Sequence, residues 1–338
     1  STSRGLGDVY KRQAIIYYIV DGGSCTMKKI NIGGMRVSNV ALGIMRMNAL
    51  SDKDAATAIE AAFDIGINYI DSADIYGHGE SSKKFREGLK LSSVSREDLY
   101  IQSKGGIENS NSGDIPYGNR YNFSKEHIIG AVDGELQRLG VDYLDAFLLH
   151  RPDPLMEPAQ IAEAFDELQA AGKVRHFGVS NFNPMQVELV QKYTKQKLEI
   201  NQLQFGIMHT GMIDFGMHTN MFDERSIDHD GQILEYARLH DMTIQAWSPY
   251  QYGFFDGVFI DNPKFPELNK KMKQIADIYG VTKNAIATAW ILRHPAQFQV
   301  LLGTMNPQHI KESAAGSDVE LTGQEWYDIY YAAGNDMP

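Results

Sequence analysis

The stretch NYIDSADIYG (68–77) ends an apolar run on an acid, Asp71, and sets a tyrosine, Tyr76, in the loop after it. Two later segments repeat the arrangement. LYIQSKGG (99–106) closes a short apolar run with Lys104, and YLDAFLLHRPDP (143–154) closes one with His150. An isolated acid at a strand end is ordinarily a turn residue, and a lone tyrosine or histidine ordinarily packs. Four chemically distinct groups, each following a buried strand, describe instead a ring of chemistry at one end of a barrel.

The pattern extends outward from these segments. KKINI and MRVSNVAL flank Gly33 and Gly34, a hairpin signal. Ser51 can cap a helix ended by Gly66, and Ser124 one ended by Gly140. Strands at 38–45, 67–71, 98–104, 142–150, 173–180, 198–204, 243–248 and 298–303 alternate with helical stretches. Such alternation implies parallel pairing through right-handed crossovers. Eight units over about 310 residues predict an α/β fold of the (β/α)8 TIM-barrel type, with an N-terminal β-hairpin cap and long strand-exit loops. An open dinucleotide-binding sheet would need G-x-G-x-x-G after its first strand, and GGMRVSNVALG is not that. The long connections 105–123 and 205–229 are expected on the strand-exit face. With 205–264 they bring Tyr117, Tyr121, Phe215, Phe254 and Phe255, which predict an apolar or aromatic-tolerant pocket.

Residues 1–26 share no periodicity with the rest of the chain. They are expected to be a non-native or disordered lead, with one barrel domain over 27–338. The chain is 43% apolar and 22% charged, enough for a sizeable core. No apolar run reaches the ~18–20 residues of a membrane span. A net charge of −11 without a Lys/Arg-rich block argues against nucleic acid and anionic membrane as partners. No protein partner is indicated. One cysteine, Cys25, excludes an internal disulfide framework and fits a reducing cytoplasm.

The strand exits narrow the chemistry. They lack the paired histidines of a metal barrel, so no metal is expected. They lack a Gly-x-Ser-x-Gly elbow and the second clean carboxylate a glycosidase needs. A tyrosine, a lysine, an acid and a histidine remain, and this set suits proton transfer to a carbonyl oxygen. Free tyrosine, with a pKa of ~10, is a poor acid at neutral pH, and a neighbouring ammonium lowers that value. Asp71 would hold Lys104 charged, and His150 could orient the carbonyl oxygen. None of the four supplies a hydride, so reduction calls for a cofactor, most simply a nicotinamide.

These motifs resemble the aldo-keto reductase family from Met27 to Pro338, and the segments 208–231 and 251–270 look like its bacterial YdhF-like branch. The resemblance implies a barrel that binds NADP(H) or NAD(H), with NADPH the first choice and NADH possible. It implies Asp71, Tyr76, Lys104 and His150 as the catalytic set, with Tyr76 the proton donor. GVSNF is similar to the family's carboxamide-binding segment and places Ser180 and Asn181 on the nicotinamide amide, with Gln202 a third contact and Trp247 under the ring. Further cofactor contacts are implied at Gly43, Ile44, Met45, Asp71, Ser248, Pro249, Tyr250, Gly253, Gly303, Thr304 and Met305.

The last strand departs from the family pattern. LLGTMNPQHIKES offers no cation at 303–305, and His309 stands where an arginine is usual for the NADP(H) 2′-phosphate. Lys311 is a further candidate cation, a helix beginning near Asn306 could offer an anion site, and Glu312 could take the adenine amine. The expected function is reduction of an aldehyde or ketone to an alcohol. The alternative is a non-catalytic, nicotinamide-binding barrel that senses redox state for a protein partner.

Overall fold

The computed structural model describes residues 27–109 and 118–338; the expectations for the lead 1–26 and for Tyr117 lie outside the described residues. The hairpin signal at Gly33-Gly34 is realised as β1 (Lys29–Ile32) and β2 (Met35–Ser38), antiparallel. Eight parallel strands form the barrel: β3 (Val40–Gly43), β4 (Tyr69–Asp71), β5 (Tyr100–Gly105), β8 (Leu144–Leu149), β9 (Val174–Ser180), β10 (Leu198–Gln204), β11 (Thr243–Trp247) and β14 (Phe298–Leu302). They close in the order β3-β4-β5-β8-β9-β10-β11-β14, with β14 back on β3. Two small hairpins interrupt this series. Ile107–Asn109 (β6) pairs with Asn119–Tyr121 (β7) over the barrel mouth, and Gln251–Tyr252 (β12) pairs with Gly257–Val258 (β13).

Alternation along the strands divides the core. Ala41, Tyr69, Ala146, Leu148, Ile200 and Leu301 form one cluster with Ile32, Met35 and Val37 of the first hairpin, which therefore plugs the barrel floor. Val40, Leu42, Ile70, Ile101, Phe147, Leu149, Val179 and Ile244 pack with the helices. The helices begin where the sequence offers caps. Ser51 accepts from Asp54 N at 3.1 Å to open α1 (Asp52–Asp64). Helix α2 (Glu80–Leu91) follows β4, and α3 (Lys125–Leu139) opens on Ser124 and closes on Gly140 at φ +68°. At full burial each Leu, Ile or Phe contributes about 1.5–3 kcal/mol, so stability rests on this shell.

The 205–229 connection departs from expectation. It holds a short helix, Gly211–Met217, and is tied to the C-terminal segment: Tyr330 Oη donates to Asp214 at 2.6 Å and Arg225 pairs with Asp336 at 3.0 Å. Its residues do not line the central cavity, which is roofed by the later loop 250–264 that carries β12 and β13. Among the described residues, no helix is long and apolar enough to cross a membrane.

Candidate active site

Strand register brings the three sequence segments together. Asp71 lies opposite Gly43 on one side and Gln102 on the other, and Lys104 lies beside Leu148 two residues before His150. Lys104 and Asp71 are buried, and Nζ donates to Asp71 Oδ1 at 2.6 Å and to the Ser72 carbonyl at 2.7 Å. Tyr76 starts a short turn in which Gly77 and His78 take φ of +55° and +56°. A Cβ on Gly77 would sit 2.8 Å from Asn48 Nδ2, so this turn wants glycine. The turn lays the Tyr76 ring over Lys104, with Nζ 4.9 Å from its centroid, and edge-on to His150 at 6.1 Å and 82°.

The electrostatics follow from burial. Burial alone would lower the Lys104 ammonium, but Asp71 and Tyr76 more than offset it and raise its pKa. Burial pushes the Tyr76 phenol up, and Lys104 only partly offsets this. The expected lowering is therefore outweighed: without ligand, Tyr76 holds its proton. Burial, then the charges of Lys104 and Arg151, drives His150 well below its usual range, so the imidazole is neutral. Its Nδ1 is buried without a hydrogen-bond partner among the described residues. The set holds one proton on an acid that faces the cavity, a fixed cation behind it, and a neutral histidine beside it.

Two supporting networks were not read from the sequence. Inside the barrel, Asp71 Oδ1 also accepts from Gln102 at 2.6 Å and Gln202 at 2.9 Å. Gln102 and Gln245 bond at 2.9 Å, Gln245 donates to Gln299 at 2.8 Å, and Gln299 donates to the Ser38 carbonyl at 2.7 Å. A buried amide ladder thus runs from the floor to the acid. Its signal was a glutamine inside four of the apolar runs. Outside the barrel, Glu135 on α3 is fully buried. It accepts from Ser103 at 2.7 Å, Ser82 at 3.0 Å and Ser72 at 3.2 Å, and pairs with Arg138 at 2.8 Å. Ser72 and Ser103 are chain neighbours of Asp71 and Lys104, so Glu135 grips both strand ends from behind. Asp74 lies nearby with Oδ1 unpartnered among the described residues; burial, reinforced by Glu135, pushes its carboxyl up to about 7.

A cavity of about 1240 Å³ runs from Tyr76 and His150 to Glu312. Gly43, Met45, Asp71, Ser180, Asn181, Gln202, Trp247, Ser248, Pro249, Tyr250, Gly303, Thr304, Met305 and His309 line it, and Lys104 reaches it only through its partners. Asn181 and Ser248 take positive φ, +61° and +49°. Ser180, Asn181 and Trp247 form a chain: Asn181 Nδ2 donates to Ser180 Oγ at 2.9 Å, and Trp247 Nε1 donates to Asn181 Oδ1 at 3.1 Å. Gln202 directs its amide nitrogen to Asp71, leaving its oxygen for a ligand amide.

Some sequence assignments fall off the cavity. Ile44 is fully buried in the shell, because its backbone N–H continues the strand pairing to the Asp71 carbonyl and turns the side chain away. Gly253, at φ +60°, serves the roof turn, and its carbonyl accepts from Gln204. Lys311 and Phe215 do not line the cavity, and Tyr121 lies exposed on its hairpin. Phe254 and Phe255 do line it, the latter stacked on Trp247 at 6.2 Å. The sequence reading missed Arg46, whose Nη1 donates to the Gly303 carbonyl at 3.0 Å, and Lys283, which pairs with Asp261. Arg46 was visible in GIMRM at the first strand exit; Lys283, on a helix far from that motif, carried no signal.

A closed parallel barrel with a buried Asp–Lys pair, a protonated tyrosine and a neutral histidine at its mouth defines a class of oxidoreductase barrels. The chain belongs to the aldo/keto reductase family, whose model matches residues 29–332. It is 32% identical to the uncharacterized oxidoreductase YcsN of Bacillus subtilis over 92% of this chain and 100% of that protein. It is 31% identical to the oxidoreductase YdhF of Escherichia coli, over 90% and 97%. A 6-dehydroglucose reductase of Agrobacterium fabrum is also 31% identical, over 88% and 95%. Among solved structures, an aldo-keto reductase from Klebsiella pneumoniae in complex with NADPH superposes with a TM-score of 0.71 at 21% identity, over 90% and 94%, a likeness of fold.

Proposed function

We propose that the protein reduces an aldehyde or ketone to an alcohol with NADPH, NADH serving as well, on a small molecule in a cytoplasmic setting. The observation that carries this reading is the buried Asp71–Lys104 pair beside a cavity-facing, protonated Tyr76. The cavity fits a dinucleotide: it joins the polar chain Ser180–Asn181–Trp247 at one end to Glu312 at the other. Ser180, Asn181 and the Gln202 oxygen would hold a carboxamide, and Trp247 would face the ring. When bound, the dihydronicotinamide supplies the hydride.

The protein's own part is proton delivery and orientation. The carbonyl oxygen sits between Tyr76 Oη and the His150 imidazole. As negative charge develops on that oxygen, Tyr76 gives up its proton, and the Lys104 ammonium stabilises the phenolate left behind. His150, being neutral, donates a hydrogen bond without competing for the proton. Asp71 keeps Lys104 charged throughout. The complete set favours catalysis over redox sensing, which needs no proton donor.

The test is titration with NADPH and then NADH, followed by fluorescence quenching, with cofactor consumption then measured on a panel of aldehydes and ketones. Tight binding with no consumption on any carbonyl would sink the enzymatic reading in favour of the sensor.

A further inference from the structure

Arg151 follows His150 at the end of β8, lines the cavity and is half-buried. Its guanidinium has no hydrogen bond or ion pair among the described residues. That is unusual in a chain of net charge −11. The lysines of the same cavity are paired, Lys273 with Asp277 and Lys283 with Asp261.

No carboxylate lining the cavity is available to Arg151. Asp71 is held by Lys104, Gln102 and Gln202. Asp261 is held by Lys283. Glu312 accepts from Asn284 at 3.2 Å and from Gln308 at 2.9 Å. A partly desolvated guanidinium without an anion wants one from the ligand.

The strand order says which ligand. In the ring, β8 is four strands from β14 in either direction. Arg151 is therefore diametrically across the mouth from the strand exit that leads to His309 and Glu312. Arg46, just after β3 and next to β14, stands on that far rim and bonds Gly303. A dinucleotide held between Trp247 after β11 and Glu312 beyond β14 would carry its phosphates on the side away from Arg151. The group beside Arg151 is the one whose carbonyl faces His150.

We propose that Arg151 binds a carboxylate carried by the carbonyl substrate, so that the preferred substrates are oxo acids. The proposal rests on the carbonyl-reductase reading and names its substrate class. Ile75 and Ile107, which follow β4 and β5 on the His150 side of the ring, and Phe254 and Phe255 of the roof give the cavity apolar walls that suit a hydrocarbon segment between carbonyl and carboxylate.

The experiment compares kcat/KM for two acids, succinic semialdehyde and para-formylbenzoate, with their methyl esters, in the full-length enzyme with NADPH. Wild type is expected to favour at least one acid by about ten- to hundredfold, the range of a charged hydrogen bond. Added salt should erode that ratio. Arg151→Gln should collapse the ratio toward one, and Arg151→Lys should keep part of it. The ratio is the readout because loss of the Arg151 charge also relaxes His150, an effect common to acid and ester. A wild-type ratio at or below one for both pairs, or a ratio unchanged in Arg151→Gln, overturns the proposal while ester turnover leaves the reductase reading intact. If neither acid nor ester turns over, that reading falls, and binding decides the rest. Benzoate should then quench the NADP⁺ complex at lower concentration than benzamide; equal binding overturns the proposal. The same pair of ligands serves if Arg151→Gln does not fold.

Discussion

Lys104 Nζ donates to the backbone carbonyl of Ser72 at 2.7 Å, while the Ser72 hydroxyl turns the other way, to Glu135 at 3.2 Å. One residue thus couples the ammonium inside the barrel to a carboxylate outside it. The lysine's position is fixed by Asp71, by the Ser72 carbonyl and, through Ser72, by Glu135.

Removing one member of the buried pair leaves the other's charge uncompensated. Lys104→Met is expected to cost about 3–5 kcal/mol, and Asp71→Asn a similar amount. The double variant should be less destabilised than the sum of the two, because the charge is removed with its partner. Denaturant unfolding of the four proteins measures this, and strict additivity would show that the pair is not coupled.

Tyr76→Phe should leave cofactor dissociation constants nearly unchanged and cut carbonyl reduction by ~10²–10⁴-fold, the usual cost of losing a general acid. Retention of more than about a tenth of the wild-type rate would remove Tyr76 as proton donor.

Asp74 gives a pH signature with a defined sign. Its carboxyl is raised from 3.8 to about 7, so its folded-state proton is held more tightly than in the unfolded chain. The stability it contributes is complete below about pH 4 and is lost as pH rises through about 7, a change of up to ~4 kcal/mol. Asp74→Asn should flatten the dependence of Tm on pH between 5 and 8, and Glu135→Gln should move it to lower pH by removing the charge that helps raise Asp74. His150 stays neutral in the folded chain but takes up a proton in the unfolded one below its ordinary ~6.5, so its contribution is lost as pH falls, opposite in sign to that of Asp74, and the difference between wild type and Asp74→Asn isolates the Asp74 step. An unaltered Tm profile in Asp74→Asn would assign the step elsewhere.

His309 lines the cavity at its Glu312 end, which we propose takes the adenosine of the cofactor. His309→Arg should strengthen NADPH binding by ~1–3 kcal/mol and barely change NADH. Dissociation constants for both cofactors decide it. If wild type already discriminates strongly and the variant adds nothing, Arg46 or Lys283 reads the phosphate.

Much of the barrel was legible because strand and helix periods alternate cleanly from Met27 on, and because chemistry in such a barrel sits at strand exits. Asp71, Tyr76, Lys104 and His150 could be placed on one rim for that reason. What was hidden depends on side-chain direction across distant elements. Glu135 reads as an ordinary helix acid until α3 lands its carboxylate on three serines, at the end of β4, in β5 and in α2. The 205–229 connection gave no hint that Asp214 and Arg225 tie it to the C-terminal segment. The roof comes instead from 250–264, whose Phe254 and Phe255 were expected at the cavity. The sign of the Tyr76 shift was misjudged because burial, which outweighs the lysine, is a property of the packed site.

The amide ladder beneath Asp71 has a consequence for how this enzyme senses its surroundings. Gln102, Gln202, Gln245 and Gln299 neither gain nor lose protons at any pH a folded protein survives. The floor of the barrel is therefore silent to acidity. It transmits orientation to Asp71, through amides that cannot swap donor for acceptor without breaking their neighbours' bonds, but no charge. The acid that can respond, Asp74, stands at the side. Besides acting on Tyr76 itself, a change of pH thus reaches the Lys104 site through the wall between β4, β5 and α3. A Gln→Glu exchange in the ladder would open a second, vertical entrance.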